Sequence, residues 1–175
     1  TAQLVPSARV SHVAVPSVRD ALRLSLRPEV GCFLLAGIIH WAAMSPFHLL
    51  FAVHVGDLKL DARYVGWGLS VGVTAEVAAM WLFRWLRGRI ALFSLLLGTF
   101  LITAARWYLT AMASDGTTLA LIQIIHGLSF GVFFVASLSH LEHVVPDQLR
   151  ATGRALFASA IGLGGIIGNT TAGAA

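Results

Sequence analysis

An all-α bundle of membrane-spanning helices is the fold class this sequence predicts, on three observations. Of its 175 residues, 57% are hydrophobic and only 11% charged, less than half the roughly 25% that a soluble domain spreads over its surface. The apolar residues gather into five runs, each near the roughly 20 residues that cross a bilayer at about 1.5 Å rise per residue. The links between the runs, GDLKLDAR, RGR, ASDGT and VPDQLRATGR, carry charges, a proline and turn formers.

Thr1–Arg27 holds Pro6, Pro16, serines and arginines without a sustained apolar run. It reads as a cytoplasmic linker, a disordered or surface-lying connector with a short amphipathic part near Val18–Leu26. Residues 28–175 form the bundle. The first span, about Val30–Val55, contains HWAAMSPFHLLFAVH. Pro46 there removes a backbone hydrogen bond and predicts a kink beside a cavity. His40 falls near mid-depth as a cavity-lining candidate, His48 and His54 lie further out, and Trp41 and Phe47 read as packing.

The second span, about Tyr64–Leu86, contains Glu76; the third, about Ile90–Met112, contains Arg106. The fourth, about Thr118–Val145, contains His126, with Gln123 and Phe130 as further cavity-lining candidates. The fifth, about Ala151–Ala175, crowds Gly162, Gly164, Gly165 and Gly168 together. The short links predict that consecutive spans are antiparallel neighbours. Gly68 and Gly72, Gly127 and Gly131, and Gly164 and Gly168 are each four apart, a spacing that lets helices approach closely in lipid. The sequence begins at Thr1 without an initiator Met and stops within GLGGIIGNTTAGAA, which predicts a truncated bundle. No signal peptide is read, because the first apolar run starts only after Pro28 and is long enough to span.

Basic residues set the expected orientation. Nine of them (Arg9, Arg19, Arg23, Arg27, Arg84, Arg87, Arg89, Arg150 and Arg154) fall on the side of the N-terminal segment, and two, Lys59 and Arg63, on the other. The positive-inside rule makes the first side cytoplasmic.

Ionisable groups inside the spans are the candidate site. Glu76 lies thirteen residues from Arg63, so roughly 20 Å along the helix, close to the membrane middle. A carboxylate at that depth is expensive and needs a partner or a changing environment. Arg106 and His126 fall in the outer halves of the next two spans, so three helices offer an acid, a permanent cation and an imidazole at comparable depths. A buried glutamate that responds to a nearby arginine and histidine is a proton-binding site in expectation.

Other chemistries find no footing. The stretch HLEH, with His140, Glu142 and His143, matches neither HExxH nor HxxEH, so no metal site is read. There is no phosphate-cradling loop, no Ser-His-acid arrangement and no cofactor motif. The net charge of +4 comes without a basic face interleaved with aromatics, so no nucleic acid is expected. Cys32 stands alone in an apolar run and reads as a small buried hydrophobe.

The order of spans, the RWLRGR link and PDQLRATGRALFASAIGLGGIIG resemble the C-terminal half of the major facilitator superfamily, the seventh to eleventh of twelve helices. TAEVAAMWLF, ITAARWYL and QIIHGLSFGVFFVASLSHL resemble the branch containing 3-phenylpropionate permease, related to the lactose and nucleoside proton symporters. That resemblance implies that Glu76, Arg106 and His126 line a central cavity and serve proton coupling or substrate binding. Where the lactose-symporter pattern has a second acid one turn beyond the histidine, this sequence has Ser129 and Phe130. RWLRGR also lacks the aspartate of the superfamily's inter-helix signature.

The implied function is half of a secondary active transporter. It would carry out proton-coupled symport of a small organic solute (aromatic acid, sugar or nucleoside-like) by alternating access. Its partners would be substrate, protons, the lipid bilayer and an N-terminal half, in a bacterial inner membrane. Alternatives are a non-transporting receptor or assembly module of the same fold and, third, a histidine-based membrane enzyme.

Overall fold

The computed structural model describes residues 17–174; the greater part of the predicted linker, with Pro6, Arg9 and Pro16, lies outside them. The described residues form seven α-helices and one short 3-10 turn, with no strand among them. Helix α1 (Val18–Ser25) falls where the sequence predicts the short amphipathic part. Its N-terminus is closed by a capping box: the Asp20 N–H donates to Ser17 Oγ and the Asp20 carboxylate accepts from the Ser17 N–H, so two otherwise orphaned donors are satisfied. Arg27, extended at φ −65 and ψ 128, turns the chain into α2 (Pro28–Met44), which opens on a proline whose missing N–H costs nothing at that position.

The spans follow as α2 with α3 (Pro46–Asp57), α4 (Arg63–Arg87), α5 (Leu92–Met112), α6 (Gly116–Val144) and α7 (Arg150–Gly173), which the 3-10 turn Asp147–Leu149 precedes. Five stretches are long and apolar enough to cross a membrane, the number that the sequence predicts. At the head of α6 the Asp115 carboxylate accepts from the Thr118 N–H at 2.9 Å. Hydrogen bonding to Thr118 holds that carboxyl below its usual range. Large apolar side chains project outward from α4 and α5, Trp67, Val77, Trp81, Phe93, Leu101 and Tyr108 among them. In water such a surface would aggregate; in a bilayer it is the required outer face. The protein is an integral, multi-pass membrane protein.

Pro46 breaks the first span where the sequence predicts. Ser45 stays in the helical region at φ −62 and ψ −34, but the Ala42 carbonyl has lost its donor four residues on. Two other helices close around the break. Gly168 of α7 lies so close to the Ala42 carbonyl that a Cβ there has no room, and the Trp107 indole of α5 donates to the Ala43 carbonyl at 2.8 Å.

Helix order in space departs from the expectation that consecutive spans are neighbours. α6 packs chiefly on α4 and α5, and α2 on α7, whereas α4 makes no extended contact with α5. The two meet near their connecting end, where Phe83 and Leu95 share a cluster with Val132 and Ala136 of α6. The glycines explain this order. Gly127 of α6 sits directly against the backbone of Ala75 and Glu76, and Gly164 and Gly168 of α7 sit against the backbone of α2. Backbone-to-backbone approach of this kind yields more dispersion contact than side-chain tips can, and it outweighs adjacency in sequence. Cys32 is a second correction. It is exposed, not buried, because it lines a groove between α2, α5 and α6 with Phe33, Phe93 and His140.

Candidate functional site

Glycine spacing places the site. A Cβ at Gly131 would come within 2.9 Å of the Glu76 carbonyl oxygen, so only a bare backbone lets α4 lie this near α6. At that separation the Glu76 side chain reaches across to His126, whose Nε2 stands 3.1 Å from the carboxylate. His126 is buried, while 19% of the Glu76 side chain remains accessible. The pair thus has one sealed partner and one that remains partly accessible.

Aromatic rings fix the imidazole. Phe130 lies nearly parallel to it at 5.9 Å, Phe47 is tilted against it at 4.8 Å, and exposed His48 meets it edge-on at 5.7 Å. Ser129 donates to the His126 carbonyl at 3.0 Å. His126 Nδ1 has no partner among the described residues. With Glu76 at Nε2, the imidazole and carboxyl have one bridging position for a proton.

Arg106 is fully buried on α5, so its side chain does not extend to the outer interface. Its Nη1 donates to Gln123 Oε1 at 3.3 Å, and Gln123 Nε2 donates in turn to the Leu119 carbonyl at 2.9 Å. The guanidinium lies 4.8 Å from the ring centres of both Phe47 and Trp107, a cation–π setting that partly replaces lost hydration. No carboxylate among the described residues lies within ion-pair distance of it, and its Nε is unpartnered among them. A buried cation without a counter-ion is costly, and among the described residues this one is placed to attract an anion.

Glu76, His126 and Arg106 are therefore brought to one region, but not as a triad in mutual contact. Phe47 links them: one ring packs both the imidazole and the guanidinium. Gln123 and Phe130 belong to the same assembly. His40 stands apart, buried in an aromatic layer where it stacks on Phe133 at 3.8 Å and meets Phe100 edge-on at 4.8 Å. Glu142 of the HLEH stretch pairs with Arg154 at 2.7 Å.

Sequence reasoning missed Met44, Phe47, His48 and Trp107. The Met44 sulfur receives weak contacts from Thr103, Arg106 and Ser129. The available signal was position: Met44, Phe47 and His48 flank the Pro46 break, and interrupted helices in membranes occur where the backbone is buried in protein or lines a cavity. Just outward of the break, Phe47, Phe51, His54, Trp107 and Thr110 line a cavity of about 320 Å³.

No curated protein and no solved structure matches the chain. The sequence model of one family does, over residues 5–175, and its description is MFS_1 like family.

Proposed function

The chain belongs to the MFS_1 like family and so to the major facilitator superfamily, and from that premise we propose that it is the C-terminal half of a secondary active transporter that couples proton movement to symport of a small organic solute. The observation that carries this reading is the Glu76–His126 pair at 3.1 Å. It joins two helices, it has one bridging position for a proton, and its carboxylate remains partly accessible. Ionisable residues at membrane depth mark ion and proton pathways by default. Glu76 would exchange the proton, His126 would orient it, and Arg106, held by Gln123 and two aromatic rings, would attract an anionic group of the solute or bias the pair.

Alternating access in such folds is a rocking of two halves about a midplane site, so the partner of this bundle is an N-terminal half. The solute class is an aromatic acid, a sugar or a nucleoside-like molecule, as in the branch its motifs resemble, and the membrane is a bacterial cell membrane. The test is to reconstitute the bundle with its N-terminal half in proteoliposomes and to add members of these three classes while recording internal pH. Solute-dependent proton uptake is expected. Solute binding with no proton or solute movement would replace this reading with that of a receptor of the same fold.

A further inference from the structure

We propose that α1 is an interfacial helix that holds anionic phospholipids at the cytoplasmic edge of the bundle, with Arg19, Arg23 and Arg27 on the lipid phosphates and Val18, Leu22 and Leu26 in the acyl boundary. Four observations converge on it.

Leu24 fixes the depth of α1. It is 1% exposed, in a cluster with Val30, Phe33, Val145 and Phe157, where α2 starts, α6 ends and α7 has just begun. That is the level at which the spans leave the hydrocarbon. Opposite Leu24, Val18, Leu22 and Leu26 stand 87%, 59% and 73% exposed. Their spacing of four residues puts them in one stripe, and at about 100° per residue Leu22 and Leu24 face roughly opposite ways. Arg19 and Arg23 follow Val18 and Leu22 by one residue, which makes a second stripe beside the first, and Arg27, the extended residue that leads into α2, adds a third cation just past the end of α1. All three arginines are exposed and none has an ion-pair partner among the described residues. Asp20, the acid on α1, is occupied by Ser17 in the capping box.

A helix clamped at the membrane boundary by one side, with an apolar stripe and a cationic stripe on its free surface, has the composition of helices that lie in an interface. An acidic protein surface would neutralise the arginines and leave the apolar stripe uncovered. An anionic bilayer answers both, and the bilayer edge is already at this depth. Each arginine near an anionic leaflet favours docking by about fivefold.

The test uses the full chain in lipid nanodiscs, with Cys32→Ser and a nitroxide label on Leu22→Cys. Collision of the label with oxygen, which concentrates in lipid, is compared with collision with a water-borne nickel chelate. In phosphatidylcholine mixed with phosphatidylglycerol the label should favour oxygen, and in phosphatidylcholine alone that preference should fall severalfold. Arg19→Gln with Arg23→Gln should abolish the difference between the two lipids, and Arg19→Lys with Arg23→Lys should retain it. Equal oxygen preference in both lipids, unaffected by Arg→Gln, would overturn the proposal in favour of purely apolar burial. A label open to nickel in both would leave the stripe in water, and one shielded from both reagents would put protein there; either result overturns it too.

Discussion

His126 Nε2 and the Glu76 carboxylate stand 3.1 Å apart, joined across two helices whose backbones touch at glycine. The contact couples packing to chemistry: whatever moves α4 on α6 also changes the partner of the carboxylate. His126→Phe strands Glu76 with no partner at its sealed end. Unfolding in detergent should show a loss of about 1–3 kcal/mol, the cost of a polar group left unpaired, reduced here because Glu76 is partly accessible. Glu76→Leu added to His126→Phe should regain most of that loss, since both polar groups are then gone. Additive losses in that cycle would mean that the two side chains do not interact.

The glycines permit a sharper contrast. Gly127→Ala places a methyl group against the Ala75 and Glu76 backbone, and backbone cannot yield as a side-chain tip can. It should lower stability by about 1–3 kcal/mol as overpacking does, and it should lengthen the Glu76–His126 contact. Gly162→Ala meets nothing within 4 Å and should raise stability by about 0.5–1 kcal/mol through helix propensity alone. Matched thermal melts measure both. Equal behaviour of the two variants would remove glycine packing as the reason α4 chooses α6.

Which features were legible in the sequence follows from the range of the forces involved. Hydropathy and link composition are local, so the five spans, the Pro46 break and the amphipathic α1 could all be read directly. The glycine pairs showed that helices would approach closely but not which helices, because the partner depends on two surfaces at once. Adjacency in sequence was the wrong guide for α4 and α5. Glu76, Arg106 and His126 announced themselves by their cost in lipid, and the structure gathers them into one region. Their connections stayed hidden. Arg106 takes Gln123 and aromatic faces, and Phe47, read as packing, touches both the cation and the imidazole. Cys32 was misread because an apolar neighbourhood in sequence signals a membrane span, and in a membrane span an apolar residue faces lipid as readily as core.

Orientation gives a prediction that does not depend on the substrate. Asp57 and Asp115 lie at the ends opposite to Arg23, Arg87 and Arg150, and with nine basic residues against two the positive-inside rule predicts that the N-terminal side faces inward. With Cys32→Ser as background, single cysteines at positions 57 and 115 should react with an impermeant maleimide added to intact cells. A cysteine at position 150 should react only after lysis. Labelling of position 150 from outside would invert the topology, and with it the side of the membrane on which α1 lies.

Glu76→Gln is the variant that separates chemistry from architecture. The amide has nearly the shape of the carboxyl and can hydrogen-bond to His126 Nε2, but it has no proton to release. Folding should be intact or slightly improved, because an ionisable group no longer has to be housed within the membrane. In the transporter assembled with its N-terminal half, proton-driven accumulation should fall to the background of empty liposomes, whereas exchange of solute down its own gradient should persist. Glu76→Asp keeps the acid and withdraws it by about one methylene from His126, so accumulation should survive in part with a displaced pH profile. A structural carboxylate would give the opposite pattern: Gln would be tolerated and Asp, which shortens the reach to His126, would be the damaging change. Solute accumulation by Glu76→Gln equal to that of the parent would therefore reassign the pair from proton coupling to helix packing.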